Sequence, residues 1–92
     1  MILYAEIECS FYEGLSLKAK RSILKKVFAR LKKDYNVAVA ELDFQDLWQR
    51  TKFGIVTVSS SGQHAEKVIQ QVIHTVDSFT ELERTITEIN EL

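Results

Sequence analysis

Proline is absent from this chain, glycine occurs three times and cysteine once. With no Pro-rich or Gly/Ser-rich stretch there is no linker to mark a boundary. No repeat of solenoid period and no low-complexity segment is present either, so residues 1–92 read as a single domain. The glycines stand at 14, 54 and 62, too scattered for GxGxxG or GxxxxGK to be written. A glycine-built phosphate cradle is therefore excluded, and no cofactor is expected. One cysteine cannot close an internal disulfide, which points to a reducing compartment. No apolar run approaches the ~18 residues a membrane span needs, so no membrane partner is expected. Met1 leads into Ile-Leu-Tyr-Ala-Glu without basic residues or a long apolar run, and a secretory leader is not expected.

The remaining composition is uneven in charge. The net charge is −1, yet Ser16 to Lys33, SLKAKRSILKKVFARLKK, holds eight of the twelve basic residues and no acid. Asp77 to Leu92 carries five acids against Arg84 alone. Within the basic stretch Leu24, Val27, Phe28 and Leu31 follow i, i+3, i+4, i+7, with Leu17 and Ile23 widening the stripe, and this predicts an amphipathic helix. Ser16 suits its N-cap. Lys18, Lys20 and Arg21 crowd the first turn, where the helix dipole makes cations mildly unfavourable and anions welcome. Two readings stand: an anionic partner, RNA or another phosphate first, or neutralisation by acids elsewhere in the fold.

Leu3, Ala5, Ile7, Cys9 and Phe11 alternate with mixed residues, predicting a strand over Ile2 to Phe11, which Glu13-Gly14 breaks. Val37 to Phe44 and Arg50 to Ser59 read as two further strands joined by a short polar connection. An antiparallel hairpin that paired Asp43 with Arg50 would set Glu41 against Lys52. Ser59-Ser60-Ser61-Gly62 is a turn and cap. Ala65, Val68, Ile69, Val72, Ile73 and Val76 then predict a second amphipathic helix. Phe79 to Ile89 reads as an acidic edge strand of broken phase, with Leu82 and Ile86 on one face and Ile89 on the other.

The order βαββαβ with right-handed crossovers predicts an α+β, ferredoxin-like fold: a four-stranded antiparallel sheet with both helices on one face. The other sheet face is left uncovered. Neither side of the hairpin is polar: Ala38, Ala40, Leu42, Phe44, Phe53 and Ile55 line one, and Val37, Val39, Gly54, Val56 and Val58 the other. One set packs under the helices, and the other is exposed or meets a partner. A homodimer or a docking face is expected, with Leu42, Phe44, Phe53, Ile55 and Trp48 as the interface candidates. Trp48, the only tryptophan, reads equally as a half-exposed anchor and as a cap over the core.

Chemistry is thin. His64 and His74 are ten residues apart and Cys9 is remote, so no zinc spacing exists. Glu41, Asp43 and Asp46 could hold a hard cation, but no other calcium-loop feature accompanies them. Salt bridges and a turn cap explain them as well, and no metal is expected. Cys9 lies on the apolar alternation of the first strand and reads as a packed thiol. The serines at 59 to 61 lack a nucleophile-elbow pattern. No catalytic residue is expected. The RNA recognition motif shares this element order and stacks bases on aromatics of its first and third strands. Here Tyr4 and Phe53 take part of that pattern, and Ile55 and Val58 break it. A backbone-tracking cationic surface fits better, with Lys18, Lys20, Arg21, Lys25 and Lys32 from the helix and Arg50 and Lys52 from the hairpin.

Leu17-Lys18-Ala19-Lys20-Arg21, Asn36-Val37-Ala38-Val39-Ala40-Glu41 and Asp46-Leu47-Trp48-Gln49-Arg50, with FGIVTVSS after them, carry a resemblance. The chain resembles the YlxP-like family of small bacterial domains of unknown function, along nearly its whole length and least after Phe79. The resemblance implies the same ferredoxin-like fold and a cytoplasmic bacterial protein. It also implies work near the ribosome, since relatives are commonly encoded beside translation initiation factor 2 and ribosome-binding factor A. It brings no catalytic residues. The expectation is a non-enzymatic RNA- or ribosome-associated binding domain, with DNA not expected. The alternative is a dimeric regulatory module that docks on protein alone.

Overall fold

The computed structural model describes residues 1–12 and 16–92; the expected break at Glu13-Gly14 lies outside the described residues. The elements run β1 (Ile2–Phe11), α1 (Leu17–Asp34), β2 (Ala38–Asp43), β3 (Arg50–Val58), α2 (Gly62–Asp77) and β4 (Leu82–Glu91). The strands form one antiparallel sheet in the order β2-β3-β1-β4. This is the βαββαβ arrangement of the ferredoxin-like fold.

Local chemistry explains the elements. The Ser16 hydroxyl accepts from the Ala19 amide and opens α1, and the Ser61 hydroxyl accepts from the His64 amide and opens α2. β1 alternates buried and half-buried along its length. Its buried set, Leu3, Ala5, Ile7, Cys9 and Phe11, meets Leu24, Val27 and Leu31 of α1 and the six apolar residues of α2 in one core. Phe53 and Ile55 complete it from β3, and Phe28 meets Phe53 edge to face with ring centroids 5.3 Å apart. Thr51 and Thr57 are buried beside them because both hydroxyls are satisfied. Thr51 Oγ1 donates to Glu41 Oε2 at 2.7 Å, and Thr57 Oγ1 donates to the Asn36 carbonyl at 2.7 Å.

The hairpin register differs from the expected one. Ala38 sits opposite Val56, Val39 opposite Ile55 and Glu41 opposite Phe53, and a register shift then sets Asp43 opposite Lys52. Relative to a pairing of Asp43 with Arg50, β2 is slipped by one residue, which exchanges its faces. Val39 and Glu41 therefore lie on the helix side with Phe53 and Ile55, and Ala38, Ala40 and Leu42 lie on the open side with Gly54 and Val56. Core volume decides the matter, because the large Phe53 and Ile55 must fill the space under the helices.

β4 starts three residues later than expected, at Leu82, and its broken phase has a cause. Cys9 pairs with Arg84 and Glu8 with Ile86, so Thr85 is an extra residue. The bulge keeps Leu82 and Arg84 on the helix side, then returns Thr87 and Ile89 to that side while Ile86 faces out.

Candidate functional site

The cationic flank of α1 is the most distinctive chemical feature of the surface. At about 100° per residue, Lys18, Arg21, Lys25 and Lys32 fall on one flank of the helix. Arg21, Lys25 and Lys32 rim a groove of about 550 Å³, floored by Leu24, Phe28 and Ala29 and bounded by Glu41 of β2. Neutralisation by acids, the competing reading, holds for Lys20 of the first turn, which meets Glu41, and is slight along the exposed flank. Arg21 reaches Asp46 at 3.7 Å with side chains 62% and 94% exposed, a pair that contributes little in water. Arg30 pairs with Asp34 one turn on, at 3.0 Å. Among the described residues no carboxylate lies within ion-pair distance of Lys18, Lys25, Lys26, Lys32 or Lys33.

Lys20 is a correction. It reads from sequence as a phosphate contact, but its side chain is 0% exposed. Its Nζ donates to the carbonyls of Phe44 and Leu47, both at 2.6 Å, and lies 3.2 Å from Glu41 Oε2. Two carbonyl oxygens of the β2–β3 connection and one carboxylate oxygen of β2 thus surround one ammonium. Glu41 also accepts from Thr51, so the cluster is satisfied throughout. The signal was present in the sequence, since Lys20 falls at the margin of the apolar stripe. A lysine there can be snorkelling or internal, and only the position of Glu41 decides between them.

Arg50 and Lys52 are a second correction, for they point away from α1. They lie on the open face of the sheet, where Arg50 reaches Glu8 and Lys52 reaches Glu6, both at 3.1 Å. The Tyr4 hydroxyl donates to Glu6 at 2.8 Å. That bond, followed by the Lys52 ammonium, holds the Glu6 carboxyl below its usual range, and Glu6 in turn raises Lys52. Tyr4 is itself raised, first by burial and then by Glu6. These cations are committed to their own carboxylates and do not join the helix in one surface.

The interface candidates divide. Phe53 and Ile55 are 0% exposed and belong to the core, which also removes the third-strand aromatic from any base-stacking face. Leu42 is 44% exposed on the open face. Phe44 is half-buried in the connection after β2 with φ at 63°, a backbone conformation bulky residues rarely adopt. The Asp43 carboxylate accepts from its amide at 2.8 Å, and the Arg50 guanidinium lies 4.0 Å from its ring centroid. Trp48 is half-buried in the same connection. Glu41, Asp43 and Asp46 do not converge: they serve Lys20, the Phe44 amide and Arg21 respectively.

Nucleophilic candidates are occupied structurally. Cys9 is buried, and burial above all, then the Asp77 charge, pushes its thiol up to about 12. The Ser59 hydroxyl accepts from the Ser61 amide, and Ser61 caps α2. No helix among the described residues is long and apolar enough to cross a membrane.

A de novo designed protein, Ferredog-Diesel, aligns with 99% of this chain and 85% of its own length at 11% identity, with a TM-score of 0.48. The uncharacterised protein YlxP of Bacillus subtilis (strain 168) is 51% identical over 87 residues, spanning 95% of each chain. The family model described as a protein of unknown function, DUF503, matches residues 2–89. By that match, and by its identity to YlxP, the chain belongs to the DUF503 family.

Proposed function

We propose that this protein is a non-enzymatic RNA-binding domain acting at or near the ribosome in the bacterial cytoplasm, with phosphate contacts along α1. The observation that carries the reading is the solvent side of α1: Lys18, Lys25, Lys26, Lys32 and Lys33 are exposed, share one helix and lack an acidic partner among the described residues. Such a rail needs only positive charge to follow a phosphate backbone, and it gives weakly sequence-specific, salt-dependent binding. The ribosomal part of the proposal rests on the family resemblance. A second reading, docking on an acidic protein, is favoured by the apolar floor of Leu24 and Phe28, which a phosphate backbone does not require.

The test is binding to purified ribosomal subunits and to deproteinised ribosomal RNA across a salt series, for the native chain and a Lys18→Ala, Lys25→Ala, Lys26→Ala, Lys32→Ala variant. Lys20 is left intact because it is internal. The expected result is a linear fall of log K with log salt, about −0.7 per single-strand phosphate contacted, flattened by up to ~3 units in the variant. A native chain that ignores both RNA and subunits at low salt overturns the proposal and leaves the protein-docking reading.

A further inference from the structure

The row of cations on α1 is interrupted once, and the groove opens at the interruption. Lys18, Arg21 and Lys25 follow one another along the flank at helical spacing. The next place in that series is held by Ala29, which is exposed, and charge returns on the flank at Lys32. With a rise of about 1.5 Å per residue, Lys25 and Lys32 stand ~10.5 Å apart along the axis. Leu24, Phe28 and Ala29 floor the groove that this gap leaves. The floor is preformed, because the Phe28 ring is fixed edge to face on the fully buried Phe53. Glu41 bounds the far side. Its Oε2 serves Lys20 and Thr51, and its Oε1 meets no donor among the described residues.

From this arrangement we infer that the groove seats one unstacked base of single-stranded RNA, with the phosphates beside that base held by Lys25 and Lys32. The inference rests on the reading of α1 as a phosphate-binding surface and adds the form of strand it selects. The groove divides its chemistry as a nucleotide does. Its rim is cationic, its floor apolar, and its far wall a hydrogen-bond acceptor. A nucleotide brings an anionic phosphate for the rim, a flat apolar face for the floor, and base N–H donors for Glu41. An acidic peptide segment matches the rim alone and sets its carboxylates beside Glu41. Duplex RNA matches the rim alone as well. Its bases are stacked inside the helix, so α1 meets only backbone, and Leu24 and Phe28 are left facing phosphate and ribose. Unpaired strands can splay a base out against an aromatic or apolar side chain, which is how protein surfaces read RNA beyond its charge. The volume of about 550 Å³ is ample for one base.

The test compares one short RNA of mixed sequence, single-stranded and annealed to its complement, by fluorescence anisotropy over a salt series. The key variant is Ala29→Leu, which fills the groove from an exposed helix position and changes no charge. It should weaken binding of the single strand about tenfold, the scale of one seated base. Its salt slope should stay native, because the phosphate contacts are kept, and its binding of the duplex should not change. NMR of the native chain gives a reading that needs no variant. Ring currents of a seated base should move the methyl signals of Leu24 and Ala29 when the single strand is added, and the duplex should leave them in place. Native binding of the single strand by Ala29→Leu, or methyl signals that the single strand does not move, overturns the inference while leaving the phosphate rail standing. A native chain that binds neither form overturns the rail and the inference together. Leu24 methyls that move with polyglutamate but not with RNA assign the groove to an acidic protein instead.

Discussion

Lys20 shows how far one residue can stand from its apparent role. Its ammonium ties α1 to two carbonyls and one carboxylate of the β2–β3 segment, and the same connection holds Phe44 at a positive φ. A left-handed conformation costs a non-glycine residue on the order of 1–2 kcal/mol, so something must hold it, and the Lys20 bonds at Phe44 and Leu47 bracket it. Substituting Lys20 by Met preserves the length of the side chain but leaves three partly buried oxygens without the ammonium that holds them. Removing one partner of a buried ionic cluster costs about 3–5 kcal/mol, a large share of the ~5–15 kcal/mol that holds a domain together. The expected outcome is an unfolding free energy, read from urea titration, lowered by that amount. A Lys25→Met control, on the exposed flank, should fall within about 0.5 kcal/mol of the native chain. Near-native stability of Lys20→Met would mean the three oxygens are not held by this ammonium.

At the scale of elements, legibility followed the strength of the periodic signal. β1 and both helices were readable because each buries one clean stripe, and both serine caps were readable because their hydroxyls precede such stripes. The hairpin was not, because β2 and β3 are apolar on both faces and pattern alone cannot choose between registers one residue apart. The choice lies in tertiary contacts: Glu41 must reach Lys20 and Thr51, and Phe53 must meet Phe28. β4 was half legible, since a bulge at Thr85 breaks the very period used to find a strand. Its attachment yields a pH prediction. Arg84 Nε and Nη2 donate to the two Asp77 carboxylate oxygens at 2.8 and 3.0 Å, joining β4 to the end of α2. That pairing outweighs partial burial and holds the Asp77 carboxyl below its usual range. A carboxyl depressed in the folded state adds stability above its unfolded pKa, about 3.9, and loses it as pH falls through the lower folded value. Asp77→Asn should therefore cost about 0.5–1 kcal/mol at pH 7, modest because the pair is partly exposed. The gap to the native chain should close below pH ~4. Parallel thermal melts at pH 7 and pH 3 read it, and a gap as large at pH 3 would assign the loss to packing instead.

Taken whole, the molecule has almost no net charge and a strong internal separation of it. The candidate site was legible as a basic helix, but which cations remain available was not, because that depends on partners far away in sequence. Lys20 meets Glu41, Arg50 meets Glu8 and Lys52 meets Glu6, so three of the seven candidate cations are consumed by the fold. What is left is gathered on α1. Net charge of −1 and a pI near 6.1 would place the protein among those that pass through a heparin matrix at pH 7. Local potential argues the opposite, because at ~0.1 M salt the screening length of ~10 Å is shorter than the helix, so a polyanion on α1 responds chiefly to the charges nearest to it. The expected outcome is retention on heparin at low salt with elution as salt rises. A Lys25→Glu, Lys32→Glu variant should lose retention, since reversing two charges on one flank changes its local sum by four. Passage of the native chain through the matrix at low salt would show that distant acids dominate the field of α1, and that the flank is a solvated face with no hold on phosphate.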